Sequence, residues 1–582
     1  MRQFFWTAVI TRIESIWGER VGGGWGGRLG RVGSRRRAKA DGLNPSANSL
    51  ETVHLTESDV FGAIVNLNPH KATGIDLIAP RILKSCACTL SLPLLHLFTT
   101  SLNTSSIPYE WKIHKIIPVY KSKDKTSVTN YRPISLLCNV SKVFERLIYD
   151  KVISTVANSI TPHQFGFQKG HSTLQQLLLF FHQLITSNDE IDVIYVDFRK
   201  AFDSVPHNEL LVKLWNMGIT GTLWKWFESY LSNRSQCVSI NNSLSDCLPV
   251  LSGVPQGSIL GPLLFLVYIN DLPSVISSSN TFIFADDTKC FKIIKTESDI
   301  QLLQNDLTSL AHWSDNNHLS FNISKFVLLR LHNKFNSEYT IHGNAIPHSS
   351  SCKDLGINLS DNLSWRLHYQ TITSKAYKSL GLLRRIFNDT YCPLARKNLY
   401  ISIIRSTLLY CSCLWKPYLL SDIELIEKVQ KRATKYILCD YTSDYKSRLM
   451  RLNLLPLMYI YDLYDIMFFI NSVKSPSDKF NILDYVEFTF GTTRSAGLKL
   501  KHKSAPTNSV MNSYFYRIPR LWNSIPVINL SYPLTTIKLK LKKYFWNHFI
   551  NNFDSNNFCT FYYLCPCHKC TKTPAPTNYC TL

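Results

Sequence analysis

The ten residues FIFADDTKCF, Phe282 to Phe291, constrain the fold more than any other stretch of the chain. Side chains alternate along a strand, so Phe282 and Phe284 share one face and Ile283 and Ala285 the other. Two acids, Asp286 and Asp287, interrupt this apolar run at its centre. The segment therefore reads as a hairpin with the acids at its crest. A crest of this kind is either a polar turn or a metal site. Gly usually completes an acidic two-residue turn, and here Thr288 follows instead.

Charge narrows the choice of partners. Lys and Arg total 64 against 41 acids, a net charge of +23. Such an excess points to a polyanion, either nucleic acid or an acidic membrane face. Between Gly491 and Ile550 there are ten Lys or Arg and no Asp or Glu. No apolar stretch approaches the roughly 18 residues of a membrane span, and Ile259–Ile269 (ILGPLLFLVYI) reads as a buried helix. The start lacks the apolar core and cleavage site of a signal peptide. The 16 cysteines, mostly scattered singly, suit reduced thiols in an intracellular protein.

Residues 18–40 are Gly/Arg-rich without hydrophobic period, which predicts a disordered leader over 1–45. Patterning begins near Thr56, where TESDVFGAIVNL has a capped helix start. IHKIIPVYK, DVIYVDF and KFVLLRLH read as strands. SLLCNVSKVFERLIYDKVI, NELLVKLWNMG (ended by Gly218) and DIQLLQNDLTSLAHW read as amphipathic helices. Beyond about Ser337 come basic amphipathic helices at roughly 365–387, 395–411 and 422–438. The expected fold is α+β, a mixed catalytic region followed by a basic helical one.

A second acidic cluster lies upstream, in VIYVDFRKAFDSVPH. Asp197 ends the apolar strand, and Asp203 reads as the N-cap of the helix in DSVPHNELL. A strand-end carboxylate can share a metal with a hairpin carboxylate, and three such acids suit two Mg²⁺ ions about 4 Å apart. Between the clusters, Gly253, Gly257 and Gly261 of SGVPQGSILGPLLFLVYINDLP allow close backbone approach, to a ligand or to another element.

A strand-end Asp, a PQG loop with its helix and a hairpin ADD, in this order, resemble the polymerase palm of reverse transcriptases. YRPISLLCNVSKVFERLI, HQFGFQKGHST, YVDFRKAFDSVPH, GVPQGSILGPLLFLVYINDLP and FADDT are similar to blocks of the non-LTR, LINE-like retrotransposons of the jockey type. So are KDLGINLSDNLSW, YISIIRSTLLYCSCLW and LIEKVQKRATKYI, and the likeness runs from about Leu55 to Phe545. It implies a right-hand polymerase: fingers and palm with an antiparallel sheet over 46–335, a helical thumb over 336–455, a basic C-terminal region over 456–550 and a Cys-rich tail over 551–582. The implied activity is RNA-directed DNA synthesis from a DNA 3′-hydroxyl, serving target-primed retrotransposition. RNA template, DNA primer or target and deoxynucleoside triphosphates are the implied partners, with no membrane. The implied setting is intracellular, a cytoplasmic ribonucleoprotein and the nucleus at the integration target.

The same resemblance implies roles for single residues. Asp197 and Asp286 would hold both Mg²⁺ ions, with Asp287 in support and Mn²⁺ as the substitute ion. Phe202 matches the steric gate against a 2′-hydroxyl; its plain reading is a core aromatic. Gln256 would lie by the incoming base or template, and Arg132 would grip the triphosphate with its planar fork. Lys121 would be a second phosphate contact. Lys325 matches the lysine near the pyrophosphate, although Phe326 follows it where the family usually has Thr.

The resemblance also predicts an upstream endonuclease that nothing here matches, so a truncated copy is expected. The rival reading is an inactive nucleic-acid-binding remnant, which a lost metal carboxylate would have marked. A group II intron maturase would be expected to carry YADD and a different helical domain. In the tail, Cys565, Cys567, Cys570 and His568, with Cys559 and Cys580 nearby, lack a second clean ligand pair; zinc is not expected there.

Overall fold

In the computed structural model, residues 49–563 are described, apart from 123, 242, 336, 388–390, 490–497 and 562. The expected disordered leader and the four tail residues considered for zinc, Cys565, Cys567, His568 and Cys570, therefore lie outside the described residues. Nine strands matter for the site. They are β1 (Ile113–Tyr120), β2 (Tyr131–Leu136), β3 (Glu190–Val196), β4 (Arg234–Ile240), β5 (Ser243–Leu244), β6 (Leu248–Val250), β7 (Asn280–Phe284), β8 (Asp287–Ile294) and β9 (Val327–Leu331). The chain divides into two compact units. One draws on residues up to Phe167, on Asp197–Ser277 and on Asp306–Ser324. The other draws on Gln168–Val196, Ser278–Asn305 and the chain from Lys325 onward.

The first unit carries the sheet β2-β1-β4-β5, with β6 also on β4. β1 and β2 form an antiparallel hairpin, whereas β1 and β4 run parallel. The helix begins at Thr56 with the cap expected there, and the structure adds a capping box: Asp59 N–H donates to the Thr56 hydroxyl at 3.2 Å, and Thr56 N–H returns to the Asp59 carboxylate at 3.0 Å. The run ILGPLLFLVYI forms the helix Leu260–Ile269, buried at every position except Pro262. A buried carboxylate fixes where that helix starts. Glu145 accepts from Ile259 N–H at 2.7 Å and from the Tyr230 hydroxyl at 3.2 Å. A helix N-terminus favours such a negative group. Under the same sheet, Arg234 is buried and donates Nε to His114 Nε2 at 2.6 Å. Its remaining donors go to the carbonyls of Tyr230 (2.7 Å) and Trp111 (3.2 Å).

The second unit carries an antiparallel sheet in the order β7-β8-β3-β9. The expected alternation is present: Thr281, Ile283 and Ala285 are buried, while Phe282 and Phe284 are half-buried. Central strand β3 also buries two acids, which its apolar reading did not anticipate. Asp192 accepts from Arg330 Nε at 2.8 Å and from the Tyr339 hydroxyl at 2.7 Å, and Glu190 stands 3.3 Å from the same Arg330 nitrogen. Pairing and hydrogen bonding offset the desolvation penalty that a lone buried ion would meet uncompensated.

Helices follow from Arg366, as the sequence pattern indicates. Arg366–Ile386 and Leu420–Leu438 match the expected spans. The helix expected over 395–411 is instead Pro393–Leu399, a π-helical stretch Tyr400–Arg405 and Ser406–Leu409. A π segment adds a residue to the turn and re-aims the side chains after it. In the basic C-terminal segment, Arg517 is buried. It donates both Nε and a terminal nitrogen to Asp465 at 2.9 Å each, so it serves the core. Among the described residues no single helix is long and apolar enough to cross a membrane.

Candidate active site

The hairpin β7–β8 is closed by the shortest loop that antiparallel strands accept. Phe284 pairs with Asp287, which leaves Ala285 and Asp286 as the two loop residues. The crest therefore holds one acid rather than the expected two, because Asp287 is already the first residue of β8. Ala285 takes φ +58°, a region tight hairpin loops demand and Gly usually supplies. A residue with a Cβ there carries local strain, a feature that clusters at functional sites. Asp286 is half-buried and Asp287 exposed.

Bracing comes from both sides of the hairpin. Gln176 Nε2 donates to the Ile283 carbonyl at 2.9 Å. On β8, Lys289 is buried and ion-pairs with Asp354 at 2.5 Å, its ammonium 4.3 Å from the centre of the Phe180 ring. The Tyr195 hydroxyl of β3 reaches the same Asp354 carboxylate at 3.4 Å. β3 and β8 pair with Val196 opposite Thr288. Asp197 is the next residue after Val196, and Asp287 the residue before Thr288. Among the described residues no group of three or more His, Cys, Asp or Glu side chains is gathered into a ready metal site. The candidate donors are all carboxylates, the hard oxygen ligands that suit Mg²⁺.

In the first unit, the segment after Asp197 and the PQG loop are zipped together. Gly253 N–H donates to the Val205 carbonyl at 2.7 Å and Val254 N–H to the Phe202 carbonyl at 2.7 Å. The Ser252 hydroxyl donates to the Asp203 carbonyl at 3.0 Å, and His207 Nε2 donates to the Gly253 carbonyl at 2.9 Å. This contact explains two glycines. A Cβ on Gly253 (φ +89°) would stand 2.7 Å from the Asp203 backbone, and one on Gly257 (φ +134°) would stand 2.2 Å from the Ser135 carbonyl oxygen. The close approach is thus to other elements of the chain, one of the two alternatives the sequence left open.

Asp203 is the residue that sequence reasoning misjudged. It lies inside the short helix Ala201–Ser204 and does not cap the next one. The position before the helix His207–Asn216 is held by Pro206, with no side-chain cap. Ser204, Val205 and Pro206 separate Asp203 from that helix by too much chain for a cap. Its carboxylate instead accepts from Gln256 Nε2 at 2.8 Å, while the Gln256 carbonyl accepts from Ser135 N–H at 2.8 Å. Gln256 is therefore held at its backbone and at its amide. Burial pushes the Asp203 carboxyl above its usual range, against the opposing pull of the Gln256 hydrogen bond and Lys200. No local signal in the sequence could have linked residues 203 and 256.

Phe202 is half-buried, stacked on Phe265 with centroids 4.5 Å apart and planes at 15°, and edge-on to Phe167 at 6.0 Å. Arg132 is exposed on β2, opposite Val119 of β1. Lys121, also exposed, follows the last residue of β1, its N–H donating to the Asn130 carbonyl at 2.9 Å. Both basic residues therefore sit at the loop end of the β1–β2 hairpin. Lys325 of the other unit is exposed, at the end of a short 3₁₀ turn before β9. Phe326, which follows it, is fully buried.

Residues 121–359 match the family model of the reverse transcriptases, RNA-dependent DNA polymerases. The chain is 30% identical over 423 residues to the probable RNA-directed DNA polymerase from transposon BS of Drosophila melanogaster, covering 68% of this chain and 46% of that protein. It is also 30% identical over 390 residues to the RNA-directed DNA polymerase from mobile element jockey of the same species, covering 63% of this chain and 42% of that protein. The chain thus spans somewhat under half the length of these relatives.

Proposed function

Residues 121–359 being a reverse transcriptase domain of the non-LTR retrotransposon kind, we propose that the chain extends a DNA 3′-hydroxyl along an RNA template, the step that target-primed retrotransposition requires. In this reading the hairpin sheet of the second unit is the palm, the β1–β2 hairpin belongs to the fingers and the helices from Arg366 form the thumb. The observation that carries it is the β3–β8 register, which leaves Asp197 and Asp287 each one residue from the Val196–Thr288 pair, with Asp286 in the adjoining loop.

Asp197 and Asp286 would be the principal ligands of two divalent cations, with Asp287 in support. Cations held there would lower the pKa of the primer hydroxyl and neutralise the departing pyrophosphate. The other assignments concern the chain's own groups. Arg132 and Lys121 on the β1–β2 hairpin would bind triphosphate oxygens, Arg through its planar fork. Phe202, its ring fixed by Phe265, would exclude a ribose 2′-hydroxyl. Gln256, fixed by Asp203 and Ser135, would contact the incoming base or the template. Lys325 would donate a proton to the leaving pyrophosphate.

The test is Mg²⁺-dependent incorporation of deoxynucleotides on poly(rA)–oligo(dT) by the purified chain. Wild type should extend the primer, whereas an Asp286→Ala, Asp287→Ala variant should not. Equal product from the two would end the polymerase reading.

A further inference from the structure

Two helices of the second unit, Arg366–Ile386 and Leu420–Leu438, line a cleft of about 460 Å³ with Arg384, Lys428, Lys431, Arg432 and Lys435 and with tyrosines. None of its lining residues is acidic. Lys428, Arg432 and Lys435 recur at helical spacing, so they share one face over about 10 Å of helix. Like charges at this spacing destabilise an isolated helix. The dipole of the helix accounts for Lys435 in its last turn, and that of the other helix for Arg384. It does not account for Lys428 and Arg432, which lie further from the C-terminus than the dipole reaches. Glu424 offsets Lys428 at 3.2 Å, but as an exposed pair it contributes little.

Part of the wall is aromatic. Tyr436 is buried, and its hydroxyl donates to the Leu383 and Phe387 carbonyls at 3.1 and 2.6 Å, tying the two helices together. The Arg432 guanidinium lies 5.7 Å from the centre of the half-buried Tyr377 ring. Tyr441 leaves 61% of its surface exposed beside the cleft. A duplex would present phosphates to the rim but keep its bases stacked inside, where they could not reach the exposed Tyr441 ring. An unpaired base has two free faces, and aromatic side chains stack on them. The volume lies within the roughly 300–1,000 Å³ of pockets that enclose small ligands.

We propose that this cleft binds an unpaired nucleotide of a single nucleic-acid strand, its phosphates against Arg384, Lys428, Arg432 and Lys435 and its base against the exposed ring of Tyr441. The inference deepens the polymerase reading, on which it relies for nucleic acid as the partner. None of the lining residues is given a catalytic role, so the cleft can be tested separately.

The experiment measures binding of the full chain to a fluorescent single-stranded oligonucleotide and to a blunt RNA–DNA duplex of equal length. Tyr441→Ala should weaken single-strand binding by about five- to 150-fold while sparing the duplex. A Lys428→Gln, Arg432→Gln variant should flatten the salt dependence of single-strand binding by about 1.4 in the log–log slope. Ribo- and deoxyribo-oligomers are compared, and a preference for either supports the site and identifies its strand. Unchanged single-strand affinity in Tyr441→Ala, or an equal loss on the duplex, overturns the inference. If wild type fails to extend a primer yet shows the Tyr441-dependent binding, the cleft stands and the polymerase reading falls.

Discussion

Removing the Asp203 carboxylate tests the hydrogen bond that orients Gln256. The contact is 2.8 Å, partly buried and made to a charged acceptor. Bonds of this type contribute about 1.5–3 kcal/mol net. Burial raises the Asp203 pKa, so part of that gain is returned as desolvation, and the lower end, about 1.5 kcal/mol, is the fitting figure. Expressed fully in nucleotide binding, this is about a tenfold loss in kcat/KM. Asp203→Asn keeps an acceptor of the same shape without the charge and should lose only about two- to fivefold. The assay is steady-state incorporation on poly(rA)–oligo(dT), with kcat and KM for the nucleotide resolved and thermal unfolding as a control. A positioning role raises KM in Asp203→Ala, with partial rescue in Asp203→Asn. The double variant with Gln256→Ala should lose less than the sum of the single losses. Full additivity of Asp203→Ala and Gln256→Ala would refute the coupling.

Three further outcomes are expected. Phe202→Ala removes the ring stacked on Phe265 and should raise ribonucleotide use relative to deoxynucleotides, at a stability cost of about 2 kcal/mol; an unchanged incorporation ratio would remove the gate assignment. Gly257→Ala drives a Cβ to 2.2 Å from the Ser135 carbonyl in a left-handed backbone and should cost about 3 kcal/mol or more; wild-type urea unfolding would show that the loop moves freely. His114 is held neutral, its pKa pushed down to about 3 by burial first and Arg234 second. Because the folded value lies below the unfolded one, this contribution is complete above about pH 6.5 and is lost as pH falls toward 3, by about 2 kcal/mol at pH 5. Urea unfolding at pH 7.5 and 5, compared with His114→Gln, checks the sign; an equal pH slope in both proteins would assign the effect elsewhere.

What could be read in advance was local. The helix cap at Thr56, the buried run Leu260–Ile269 and the alternation along Phe282–Ala285 each depend on neighbours within a few residues, and each is present. The partners that fix the site come from far along the chain. Lys289 meets Asp354, Gln256 meets Asp203, and Arg330 meets Asp192, pairings that no periodicity encodes. Composition also misleads where a charge is spent internally. Arg517 counts toward the basic C-terminal segment but is bound to Asp465 in the core. The break of the helix expected over 395–411 into a π segment is equally silent in the pattern, since the apolar spacing continues through it.

The two-residue loop between Phe284 and Asp287 makes length, more than composition, the inherited quantity of this segment. Side chains alternate with a period of two, so any change of chemistry at one position leaves its neighbours facing as before. Adding or losing one residue in β8 shifts the register by one place and exchanges the two faces of the strand along its length. Asp287 would then trade places with Thr288, and the buried Lys289 would turn away from Asp354. A lineage can therefore drift in sequence here while its gaps and insertions are confined to other parts of the chain.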